Sequence, residues 1–302
     1  MSESVPQINL DNIEKLRENL GVVLCAKNKE GKLVSVQEQI KLAEEMRLRS
    51  VQFDFRHMSL EEIILAREAL IQYSRQNPET KISIHGDNPL INPEELDFIN
   101  EEKIRSEIDL LLDLKGDSYT VHPPAINSKI FDEATPEQRE RIMLNFAHIF
   151  RALLERLSQQ DENICIAFEN MPNKGLESSW GQTTEDMLSL IEIIRRVATE
   201  VGIPDHVISK HFGVTLDVNH ALHGVDEGEY SSTLESWFSK LGENIKVVHV
   251  YVPSSVNDNF RFKLGKCLEL ASKFSPNARI YFESKQSAEV TKEVYGDAKK
   301  TI

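Results

Sequence analysis

The chain has 302 residues, 40% hydrophobic and 28% charged, a balance that fits one large globular α/β domain or two smaller ones. Its formal net charge of -14 points away from nucleic acid, which is normally met by a basic footprint. No apolar run approaches the ~18 residues of a membrane span. The N-terminal MSESVPQINLDNIEKL lacks the basic start and apolar centre of a signal peptide. Cys25, Cys165 and Cys267 are scattered and form no CxxC pattern, so the reading is a cytoplasmic protein with buried thiols.

In chain order, apolar strand-like runs alternate with helix-period segments. GVVLCAK (21–27) precedes VQEQIKLAEEMRL, and SVQFDFR (50–56) precedes SLEEIILAREALIQYS. KISIHGD (81–87) and SYTVHPP (118–124) come next, followed by TPEQRERIMLNFAHIFRALLERL. NICIAFEN (163–170), the helical TEDMLSLIEIIRRVATEVG, GVTLDVNH (213–220), IKVVHVYVP (245–253) and ARIYFES complete the series. Several helical segments open on Ser or Thr with early acids, and TPEQ adds Pro at the first helical position. Periodicity alone also admits a doubly wound open sheet. Eight repeats over this length nevertheless predict a (β/α)8 TIM barrel of the α/β class, one domain spanning 1–302.

The ends of these runs are chemically distinctive. His85, His122, Glu169, Asp217, His249 and Glu283 each lie near the C-terminal end of a run, and His220 follows Asp217 by three residues. In a barrel those ends converge on the face that carries active sites. Singly, a strand-end histidine is a hydrogen-bonded structural residue and a strand-end acid is a helix cap. Together, three carboxylates in one partly buried mouth repel one another unless a cation meets them. Mixed His and carboxylate donors suit Zn²⁺, Mn²⁺, Co²⁺ or Fe²⁺ rather than Ca²⁺. Seven donors exceed the three or four that one catalytic zinc takes, so one or two ions per chain are expected. Arg56 and His57 end the second run and either face substrate or lie in a solvated loop. Trp180 either covers the site or packs under its own loop. His148, His206, His211 and His223 are read as non-ligands.

At these residues the sequence resembles the xylose isomerase-like TIM-barrel superfamily, which includes AP endonuclease family 2, sugar phosphate isomerases and epimerases, and endonuclease IV. The resemblance is carried by IHGDNPLIN, VHPP, FENMP, LDVNHA, VVHV and YFES, in barrel order. It implies that His85, His122 and Glu169 hold one metal. Glu169, Asp217, His249 and Glu283 would hold a second, with Glu169 bridging. It also implies that Glu169 and Glu283 exchange a substrate proton, and that His220 touches substrate or serves a third zinc. The loop VPSSVNDNFRFKLG departs from both branches. Asp258 is not followed by the histidine of a third zinc site, with Phe260 in its place, and only Arg261 and Gly265 remain of the Arg-His-Glu-Pro-Gly of the isomerases. Arg261 is retained as a substrate-binding candidate on that basis.

Three functions follow as expectations. The first is a metal-dependent isomerase or epimerase of a small sugar, polyol or sugar phosphate, working through an enediolate. The second is an endonuclease IV-like phosphoester hydrolase, and the third a non-catalytic metal-binding barrel. A small-molecule partner fits the acidic chain better than nucleic acid.

Overall fold

The structure, a computed structural model, describes residues 10–25, 30–92, 97–124, 135–159, 164–172, 180–253, 257–284, 291–292 and 294–296. Residues 1–9, residues 173–179 before Trp180 and residues 254–256 after the seventh run are among those outside the described residues. Eight strands close a barrel: β1 (Leu20–Leu24), β2 (Ser50–Asp54), β3 (Lys81–His85), β4 (Ser118–Val121), β5 (Cys165–Glu169), β6 (Phe212–Asp217), β7 (Ile245–Tyr251) and β8 (Arg279–Ser284). Each pairs in parallel with the next, and β1 with β8 completes the ring. These strands correspond to the eight runs read from the sequence.

Side chains on a strand alternate between its two faces, and this alternation sorts the barrel into two cores. One set, including Phe53, Ile84, Tyr119, Phe168, Leu216 and Phe282, packs outward against the helices in a single large cluster. The other set fills the barrel and is unusually polar for a position where Val, Ile and Leu normally dominate. Among the described residues, Val23, Cys25, Cys165, Ala167, Val247 and Tyr281 make the apolar cluster there. Tyr281 Oη meets Ser83 Oγ at 2.8 Å and accepts from Ser50 Oγ at 3.2 Å, while Ser118 Oγ donates to Ser83 Oγ at 2.8 Å. One layer nearer the mouth, Gln52 Nε2 donates to Thr120 Oγ1 at 3.0 Å, and Thr120 meets Thr215 Oγ1 at 3.0 Å. Gly21 makes room for the Tyr281 ring, since a Cβ there would lie 2.5 Å from it.

Helix starts follow their local chemistry. Ser35, Ser59 and Thr183 cap the helices Val36–Met46, Leu60–Gln76 and Thr184–Glu200, each in a reciprocal box with Glu38, Glu62 or Asp186. Thr135 and Gln138 exchange the equivalent bonds at the start of Pro136–Gln159. No helix of the described residues is long and apolar enough to cross a membrane.

Candidate metal centre

The period-2 alternation that points a hydroxyl or small residue into the barrel points a donor inward two residues later. Thus Ser83 leads to His85, Thr120 to His122, Ala167 to Glu169, Thr215 to Asp217, Val247 to His249 and Tyr281 to Glu283. All six donors are buried, and they meet around Glu169 at the C-terminal mouth.

Glu169 is encircled by imidazoles. His85 Nε2 donates to its Oε2 at 2.9 Å, and His249 Nδ1 lies 3.3 Å from the same oxygen. His122 Nε2 and His220 Nδ1 each lie 3.4 Å from Oε1. The ring of His122 is oriented by its Nδ1–H, which donates to Asn88 Oδ1; His220 Nδ1–H donates to Asn170 O at 2.7 Å. Asp217 ends β6 and caps the one-turn helix Val218–Ala221, with Oδ1 accepting from His220 N–H at 2.7 Å. The cap and the ligand readings are therefore compatible, since a carboxylate has a second oxygen. Asn170 fixes this corner, exchanging two hydrogen bonds with the Asp217 backbone at 2.6 and 3.2 Å.

The donor set fits a divalent cation on the geometry alone. His122 Nε2, Glu169 Oε1 and both ring nitrogens of His249 are buried without a hydrogen-bond partner, a costly state for polar groups away from water. Three triplets bring one donor atom from each residue within 4.8 Å: His85–Glu169–His249, Glu169–Asp217–His220 and Asp217–His249–Glu283. The triplets overlap at Glu169, Asp217 and His249. His122 adjoins this set through Glu169 and through His85, whose ring centroid is 5.3 Å away.

The same crowding sets the charges of the metal-free cluster. Burial alone would raise the Glu169 carboxyl, but the potentials of His122, His249 and His85 outweigh it and hold the group well below the usual range. Burial, the largest single influence, raises Glu283, and Arg56 together with His249 and His85 outweighs it for a net fall. Burial, with Glu169 and Glu283 nearby, pushes Asp217 up to about 6 against the pull of His220. Burial and the Arg56 charge lower His85. For His220 and His249 the carboxylates overcome burial and raise the imidazole.

The remaining predicted residues fall in different places. Arg56 is half-buried at the mouth and reaches Asp54 and Glu283. His57 is exposed and lines a separate cleft of about 280 Å³ with Ser35, Met58 and Leu65. Trp180 is partly buried and packs beside Ile142. Arg261 is exposed in the first turn of the helix Asp258–Phe274, 3.9 Å from Asp258, while Phe260 is buried in the main core. Among the histidines read as non-ligands, His148, His206 and His223 are exposed, and His211 is buried with Nδ1 on Ile164 O at 2.7 Å. Sequence reasoning passed over Asp54, Asn88 and Asn170. The first had a signal in Ser50, Gln52 and Asp54, polar at every second position of an otherwise apolar run.

The closed eight-stranded parallel barrel is shared with several solved structures. A D-tagatose 3-epimerase-like protein is similar over 93% of this chain and 96% of its own, at 20% identity and a TM-score of 0.60. The 3-keto-D-glucoside 4-epimerase YcjR from E. coli, apo form, is similar over 93% and 97%, at 15% identity and a TM-score of 0.56. Endonuclease IV from Thermus thermophilus is similar over 94% and 100%, at 16% identity and a TM-score of 0.54. The sequence matches no family model and no curated protein. At these identities the likeness is one of fold, and function must be argued from the site.

Proposed function

We propose that this protein is a divalent-metal-dependent isomerase or epimerase of a small sugar, polyol or sugar phosphate. The observation that carries the reading is the buried union of Glu169, Asp217 and Glu283 with His249 and unpartnered ring nitrogens at the C-terminal mouth. In this reading Glu169, Asp217, His249 and Glu283 hold one ion of Zn, Mn, Co or Fe, and His85 and His122 with Glu169 hold a second. A bound divalent ion supplies electrostatic stabilisation to adjacent carbonyl and hydroxyl oxygens as negative charge develops on them. The proton chemistry belongs to the chain. Glu169 and Glu283, both held ionised by their neighbours, take the hydrogen next to the carbonyl and return it to the adjoining carbon or the opposite face. His220, half-buried beside Glu169, contacts substrate hydroxyls. The continuous ring of strands supports a single domain over 1–302. Three buried cysteines, none of them in a disulfide, support a cytoplasmic setting.

A hydrolase of the endonuclease IV kind is the second reading. It is favoured by one observation, the unpartnered His122 Nε2 facing Glu169 Oε1, which suits a two-metal site. Phe260, buried in the core where a third zinc ligand would be wanted, and the net charge of -14 weigh against it. Incubating a panel of ketoses, sugar phosphates and abasic-site DNA in D₂O and in ¹⁸O-water separates the two. The expected result is deuterium on the carbon next to the carbonyl of an isomerised sugar. Solvent oxygen in a phosphate product, with no carbon-bound deuterium, overturns the isomerase reading.

A further inference from the structure

Arg56 is placed as if to contact substrate, yet its fork is directed at the protein. Nε donates to Asp54 Oδ1 at 3.0 Å, and Nη2 donates to Asp54 Oδ2 at 2.9 Å. Nη2 also donates to Glu283 Oε1 at 2.9 Å. The two carboxylates come from β2 and β8, on either side of β1, and both are buried. Asp54 is itself held. Its backbone N–H donates to Gln39 Oε1 at 3.1 Å, and its carbonyl accepts from Gln39 Nε2 at 3.2 Å. Gln39 is fully buried on the helix Val36–Met46. At the other end, Val252 N–H donates to Glu283 O at 2.8 Å, so the backbone of Glu283 is fixed as well. A chain of directional contacts thus runs from a buried helix residue through Asp54 and Arg56 to one oxygen of Glu283.

We infer that Arg56, oriented by Asp54, is a positioning residue for Glu283: it takes Oε1 and reserves Oε2 for the cation held with Asp217 and His249. This rests on the reading of Asp217, His249 and Glu283 as cation ligands. The physical case is that a glutamate has two equivalent oxygens and three rotatable bonds, so it can chelate, bridge or turn away. A guanidinium held bidentately by a second carboxylate fixes direction as well as charge. With one lone pair of Oε1 engaged by Arg56, Glu283 would meet the cation through Oε2 alone and keep its remaining Oε1 lone pair for the substrate proton. The assignment departs from the expectation that Arg56 is a substrate contact.

The test keeps charge constant and removes the fork. Chelator-treated full-length protein is titrated with Zn²⁺ and with Mn²⁺, and the tighter ion is used for wild type, R56K, E283Q and the double variant. Outer partners of metal ligands typically contribute 10–100-fold to affinity. R56K should therefore lower metal affinity by about 10–100-fold in the wild-type background. In the E283Q background it should lower affinity by less than about twofold, because effects that act through one residue do not add. Unchanged affinity in R56K, or an equal loss in both backgrounds, overturns the inference. Unchanged affinity in E283Q, or binding of neither ion by wild type, instead overturns the ligand set. Circular dichroism melting of each metal-free variant checks folding. Should R56K fail to fold, D54N replaces it, which removes the charge that orients Arg56, and the same two criteria apply.

Discussion

In the metal-free protein the Asp217 carboxylate opposes folding, so Asp217→Asn should stabilise the fold while impairing metal binding. Burial, reinforced by Glu169 and Glu283, lifts its pKa from 3.8 to about 6, so the folded state holds that proton more tightly than the unfolded chain. By linkage, the stabilisation from this group is complete below the unfolded value and is lost as pH rises through about 6. A rise from 3.8 to about 6 corresponds to roughly 3 kcal/mol. Asparagine retains an Oδ1 that can accept the His220 N–H, so the helix cap is preserved. Urea denaturation of chelator-treated protein near pH 7.5 should show the variant more stable by roughly 2–3 kcal/mol, with the gap closing toward pH 4. Added metal should reverse the order once free metal reaches about 1,000 times the wild-type Kd, where a gain of about 4.1 kcal/mol exceeds the gap. A variant less stable than wild type without metal at pH 7.5, or a gap independent of pH, would refute the reasoning.

Other expectations are as direct. H85A/H122A should lose about one metal equivalent by elemental analysis and keep the other; a single ion in both wild type and variant removes the second site. E283Q should lower turnover by roughly 10²-fold or more on any substrate found, with metal content measured alongside so that loss of a ligand is not counted as loss of a base. Asn170→Ala leaves the Asp217 backbone N–H and C=O without their side-chain partners, which should cost about 2–4 kcal/mol in urea denaturation. A cost near zero would mean that water or a rearranged side chain replaces both bonds.

The strands were legible because each is a short apolar run with a polar residue at its end, and the barrel because there are eight. The buried donors were legible for the same reason, since strand ends in a barrel share a face. The partners were not. Arg56 and Glu283 are 227 positions apart, and Asn88 meets His122 from the loop after the preceding strand. Such pairings are set by barrel closure and loop geometry, which no local pattern encodes. Arg261 was read from a loop motif, and in the structure Asn257 accepts the Phe260 N–H and starts a helix whose first turn carries Arg261. Trp180 packs beside Ile142 on the helix Pro136–Gln159, a long-range neighbour that no local pattern announces.

The hydroxyl-lined interior beneath the donors bears on how the barrel would accommodate a cation at the proposed site. In the Thr120–Thr215 pair either oxygen can donate, so the direction of that bond can reverse by rotating protons alone. A change of charge at the mouth is then answered by turning dipoles in the floor, with heavy atoms left in place. A barrel filled with leucine and valine has no such response and would have to shift backbone or admit water. The floor behaves as a small reorientable solvent built into the fold, and the empty and loaded proteins should share one backbone to within thermal motion.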